Sequence, residues 1–233
     1  MRALLKMMLA LGMFASAAPA FSQEIVVTGS RREADDFDAA MPIITMRRTA
    51  DFAVQEVRVV GDTRETQKRR DEIYAMIRGA IEAGGKFGVE LATGEYIVEP
   101  LTLANYRNLP LSSDGRPDTD RTTFLVKTRL APGMDAKAAL ERITRFIQSV
   151  ATVGRAEIKA QGDLTLSVVN PDQYRPQIVD LIAADATATA AKFGAGYGVE
   201  VKGLDRPVEW ARASLTEVFL YLPSAYVVRP KGN

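Results

Sequence analysis

The side chains that most often carry out covalent or metal chemistry are missing from this chain, which has neither histidine nor cysteine among its 233 residues. Their absence removes Ser-His-Asp and Cys-His nucleophilic catalysis and the usual zinc, copper and haem ligand sets. It also removes disulfides and a lipid-bearing N-terminal cysteine. A reaction here would have to run on carboxylates, Lys, Tyr or Ser. Asp114, Asp118 and Asp120 could offer oxygens to calcium, but their spacing departs from the EF-hand loop, and Gly115 and Pro117 fit a turn. A phosphate-cradling loop needs its glycines after a strand and at the opening of a helix. Gly194, Gly196 and Gly198 instead follow a helical pattern and precede a strand pattern, which makes them a helix stop and a turn. The reading is therefore non-enzymatic, with no cofactor and no metal.

The chemistry that remains is that of the backbone. Ile25-Val26-Val27-Thr28 is a run of good strand formers close behind an export-type leader. Arg2 and Lys6 supply the positive end of that leader, Met7 to Ala17 its apolar stretch, and Ala18-Pro19-Ala20 a small-x-small cleavage site. The apolar run is shorter than the roughly 20 residues of a spanning helix, so it predicts export and release rather than an anchor. The expected layout is a signal peptide over 1–20, a tether over 21–42 and one domain over 43–233. No transmembrane span is expected after processing, and the expected location is the periplasm, with peripheral attachment to the outer membrane as an option. Asp35, Asp36 and Asp38 read as a solvated part of the tether.

Charge narrows the partners. The chain has 30 Lys and Arg against 29 Asp and Glu, and 28 against 29 without the leader. A nearly neutral protein lacks the basic field that nucleic acid requires. With 47% hydrophobic residues there is ample material for a core.

From Ile43 onward strands and helices alternate. Ile43 to Phe52 and Val54 to Val60 read as strands, and Arg64 to Ala83 as a helix burying Ile73, Met76, Ile77, Ala80 and Ile81, stopped by Gly84-Gly85. In that helix Lys68-Arg69-Arg70, among Glu65, Asp71 and Glu72, reads as a charged outer face. Val89 to Leu109 reads as one or two strands containing Tyr96-Ile97-Val98, and Leu111 to Asp120 as a loop. Thr122 to Leu130 is a strand with Phe124, Val126, Thr128 and Leu130 on one face. A helix from Asp135 should bury Ala139, Leu140, Ile143, Phe146, Ile147 and Val150. A strand over Ala156 to Val169, broken at Gly162-Asp163, leads to a third helix over Tyr174 to Phe193, with Ile178, Ile182, Ala186, Ala190 and Phe193 inward. Val199 to Val228 is mostly strand, with Val218, Leu220 and Leu222 on one side. Trp210 is expected to pack, half-buried, rather than anchor a pocket. The order predicts an α+β fold, a largely antiparallel sheet packed by about three amphipathic helices.

Two resemblances follow from these segments. Glu24-Ile25-Val26-Val27-Thr28-Gly29-Ser30-Arg31 resembles the TonB box of TonB-dependent outer-membrane transporters, a segment that adds as a strand to the periplasmic domain of TonB. The resemblance implies partner binding through Ile25, Val26, Val27 and Thr28 by β-augmentation; the alternatives are an inert tail or a strand paired within the molecule. The chain is too short for a plugged barrel of about 22 strands, so it is not a transporter. The body, about Ile43 to Pro230, looks like the SIMPL-domain family of bacterial envelope proteins. The likeness lies in its element order and in the Ala-rich segment with Ala183-Ala184-Asp185-Ala186 and Ala190-Ala191-Lys192-Phe193-Gly194. It implies an envelope protein without known catalytic residues that acts through protein contacts, with homo-oligomers among the options. The competing reading is a small-ligand-binding or carboxylate-dependent enzyme domain.

Overall fold

The structure is a computed structural model that describes residues 24–26, 41–94, 98–131 and 133–231. Its centre is the strand Phe52–Gly61 (β3), whose Val-rich sequence is buried along nearly its whole length. Such a strand needs partners on both edges and cover on both faces. Asp120–Arg129 (β7) pairs with it antiparallel on one edge and Glu157–Val169 (β8) on the other. The sheet extends from β7 through Glu90–Thr93 (β4) to Glu99–Pro100 (β5), with Ser112–Ser113 (β6) also on β7. Beyond β8 it ends in Glu24–Val26 (β1). The resulting order is β1-β8-β3-β7-β4-β5, and every described pairing is antiparallel.

Two helices cover one face. Thr66–Phe87 (α1) lays Ile73, Met76, Ile77 and Ala80 on Val57, Val59, Phe124 and Val126, and Ala136–Ser149 (α2) adds Ile143 and Phe146 to the same core. Asp135 caps α2 by accepting the Ala138 N–H at 2.7 Å. The third helix, Arg175–Ala191 (α3), builds a second core from Ile178 and Ile182. They pack against Leu166 and Val168 of β8 and against Val218, Leu220 and Leu222. Around it lie the sheet of Glu209–Arg212 (β10), Glu217–Tyr221 (β11) and Met46–Thr49 (β2), and the ribbon of Tyr197–Lys202 (β9) with Ala225–Pro230 (β12). The fold is α+β with antiparallel sheets, as the element order predicts. Among the described residues no helix is long and apolar enough to cross a membrane.

Several expectations need correction. The first helix does not stop at Gly84-Gly85 but runs to Phe87 and ends on Gly88 in the left-handed region, φ 66°. Gly84 is required by packing instead: a Cβ there would sit 2.9 Å from Leu91 Cδ1 and 3.2 Å from the Val89 carbonyl. Leu140 is 44% exposed, because the buried line of α2 runs through Ala139, Ile143 and Phe146 and leaves Leu140 on its flank. Phe193 is 60% exposed, carried out of the core by the turn after Ala191, and its ring lies 6.0 Å from the Tyr197 ring. Arg69 is not on an outer face. It is buried and donates to Asp120 Oδ2 at 2.7 Å and to the Thr63 carbonyl at 2.6 Å, tying the start of α1 to β7. Gly162, at φ 67°, bends β8 without ending it, and the pairing with β3 shifts register between Val54 and Glu56. In the segment read as holding Tyr96-Ile97-Val98, Val98 is buried, while residues 95–97 lie outside the described residues.

Candidate functional site

Two places could recognise something: the outer edge of β8 and a charged cleft at the other end of the sheet. At the edge, Glu24, Ile25 and Val26 lie antiparallel to Val169, Val168 and Ser167 respectively. Of the residues expected to bind a partner, Ile25 and Val26 are therefore in a strand pair within the molecule, whereas Val27 and Thr28 lie outside the described residues. The receiving end of β8 is held from behind by Asp51. Its N–H donates to the Ser167 carbonyl at 3.0 Å, and its carboxylate accepts the Val169 N–H at 2.8 Å. Arg48 in turn donates to Asp51 Oδ1 at 2.7 Å and stacks on the Tyr174 ring with its guanidinium 4.4 Å from the centroid. Sequence reasoning had no signal for this support, since it joins residues more than a hundred positions apart.

The cleft has a volume of about 1020 Å³ and is lined by Arg58, Asp62, Asp114, Arg116, Arg155 and Lys159 among others. Most of its charges are committed to one another. Arg155 grips Asp62 with two bonds of 2.6 and 2.8 Å, Arg58 donates to Asp114 at 2.7 Å, and Lys159 lies 2.5 Å from Glu157. Next to Arg155, Glu72 accepts the Thr63 hydroxyl at 2.5 Å and the Arg155 backbone N–H at 3.2 Å. Its carboxylate rests on the α-carbon of Gly154, where any side chain would collide with it. The hydrogen bond from the Arg155 guanidinium holds the Asp62 carboxyl below its usual range, and the Thr63 hydroxyl is the main cause of the same effect at Glu72. A general base works best with its pKa near the operating pH. These two carboxyls are shifted the opposite way, so the arrangement suits charge pairing better than proton transfer.

The remaining sequence candidates fall apart spatially or into structure. Asp114 and Asp120 take different arginines, Arg58 and Arg69, and Asp118 occupies a turn at φ 59°. Among the described residues, no group of three or more acidic side chains is placed to hold a metal ion. Gly194 forms the turn after α3, and Tyr197 opens β9, as expected for a helix stop followed by a strand. Trp210 is half-buried against the second core. Asp35, Asp36 and Asp38 lie outside the described residues.

No family model and no curated protein matches the chain. Solved structures similar to it include an uncharacterized conserved protein from Listeria innocua, 12% identical, covering 78% of this chain and 92% of that one at a TM-score of 0.16. They also include a hydrolase from Listeria innocua, 14% identical, covering 78% of this chain and 91% of that one at the same TM-score. Likenesses at that TM-score carry no argument about fold or activity. The resemblances to SIMPL domains and to the TonB box rest on the sequence alone.

Proposed function

We propose that this is an exported periplasmic protein that acts without catalysis, through protein–protein contacts in the cell envelope, and that residues Ile25 to Thr28 are its pairing strand. The partner this reading favours is a periplasmic domain of the TonB type with an exposed sheet edge. The observation that carries the reading is the antiparallel pairing of Glu24–Val26 with β8: the segment's backbone is accepted at a sheet edge. β-augmentation asks for that property, since main-chain hydrogen bonds supply most of its affinity. The leader-like N-terminus and the SIMPL-like order of the body support the location. The committed carboxylates of the cleft support binding over catalysis.

The competing reading, a small-ligand-binding or carboxylate-dependent enzyme domain, draws on the cleft, whose volume is at the upper end of ordinary ligand sites. It is the weaker one, because most charges of the cleft are already paired with one another, Arg155 with Asp62 and Arg58 with Asp114 among them.

The test is a calorimetric titration of the processed chain, beginning at Phe21, with the periplasmic domain of TonB. Wild type should bind, and Ile25→Pro, which deletes a ladder N–H and restricts φ, should bind at least ~10-fold more weakly. Equal binding by both, or none by wild type, would overturn the assignment of the segment.

A further inference from the structure

The two edges of β8 are used differently. Its inner edge faces β3, and the backbone groups of Ser167 and Val169 are engaged there: Ser167 accepts from the Asp51 N–H, and the Val169 N–H is held by the Asp51 carboxylate. Polar groups alternate sides along a strand, so the N–H and C=O of Val168 face outward, where Ile25 lies opposite. Four residues back, the Leu164 carbonyl accepts from Arg212 Nη1 at 2.9 Å and is closed to a further strand. Past Leu164 the strand bends at Gly162 and presents Asp163, Lys159 and Glu157, the bends and charges that discourage edge pairing. The outer edge of β8 thus offers one clean stretch, Thr165 to Val168, bounded by Arg212. Within that stretch Ile25 lies opposite Val168 and Val26 opposite Ser167.

We infer that Thr165–Val168 is a receptor edge for one short extended strand, that the chain's own N-terminal segment is its resident occupant, and that this internal pairing competes with pairing of the same segment on a partner. The competition follows from the backbone. An N–H and C=O of Ile25 that pair with Val168 are not available to a second sheet edge, so a partner that uses them must first draw the strand off β8. This part of the inference rests on the proposed function; the receptor edge itself does not.

The absence of cysteine permits a clean test, because only an introduced pair can oxidise. Val26 and Ser167 are directly opposed and flank the outward pair of Ile25 and Val168. They form the closer, non-hydrogen-bonded kind of pair, with a Cα separation of about 4.5 Å that a disulfide can span. Val26→Cys/Ser167→Cys should oxidise within the monomer at least ~10-fold faster than the mismatched Val26→Cys/Glu157→Cys, since only the first pair is held at high effective concentration. Glu24→Cys/Val169→Cys is the second matched pair, for use if the buried Ser167 position does not tolerate the change. Equal rates for matched and mismatched pairs, or links formed only between two copies of the chain, would overturn the receptor edge.

The linked and reduced forms are then titrated with the periplasmic domain of TonB. Loss of at least ~10-fold in affinity on linking supports the competition. Equal binding by the two forms overturns it. A matched pair that links readily in a protein that binds no TonB domain in either form would uphold the receptor edge and remove the TonB-type partner.

Discussion

Glu72 lies in the second turn of α1 with only 8% of its surface exposed, and its carboxylate joins Thr63, the Arg155 backbone and the α-carbon of Gly154. Asp62, held by Arg155, and Glu217, held by Arg47, share one electrostatic consequence with it: each carboxyl sits below its ordinary pKa. For a group lowered in the folded state, the unfolded chain takes up the proton first as pH falls, so the stabilisation exists above the unfolded value and is lost through the folded one. The melting temperature should therefore hold level down to about pH 5 and fall steeply below about pH 4, where free carboxylates titrate. Glu72→Gln, which keeps the shape and removes the titration, should make that acid fall shallower. Thermal melts of both proteins between pH 7 and 3 check this, and parallel curves would show that Glu72 is not part of the linkage. None of these pairs was legible beforehand. The segment Lys68-Arg69-Arg70 has the composition of a solvated face, and only the approach of Asp120 from β7 turns Arg69 inward.

At the scale of the element, the helix α1 separates two meanings of glycine. Gly79 is exposed in mid-helix, and a Cβ there would meet nothing within 4 Å. Gly84 is buried against Leu91 and Val89. Gly79→Ala should raise stability by about 0.5–1 kcal/mol through helix propensity alone. Gly84→Ala should lower it by about 1–3 kcal/mol, because the same gain in propensity is outweighed by overpacking. Denaturant unfolding of the two variants decides the matter, and a stabilised Gly84→Ala would remove the packing account of that glycine. The example also marks where sequence reading fails. Periodicity located α1, α2 and α3 and most of their buried positions, since an apolar stripe is a local property. It could not tell a terminating glycine from a packed one, nor place Leu140 on the flank of α2, because both depend on what the neighbouring element presents.

Across the whole molecule, the antiparallel α+β character was legible from the order of elements, and the strand tendency of Ile25-Val26-Val27-Thr28 from its β-branched residues. What Ile25 and Val26 pair with was not legible, because a strand's partner is chosen by an edge formed far away in the chain, here at Ser167 and Val168. The central claim is that this segment is a transferable strand, held on β8 and given up to a partner. Hydrogen exchange at the Val168 amide reports it most directly, since by the alternation of the strand that N–H faces the segment. In the isolated processed chain the amide should be protected, and saturation with the periplasmic domain of TonB should speed its exchange by at least ~10-fold while the amides of β3 stay unchanged. A Val168 amide that exchanges freely in the isolated protein, or one whose protection is the same with and without the partner domain, would contradict the account.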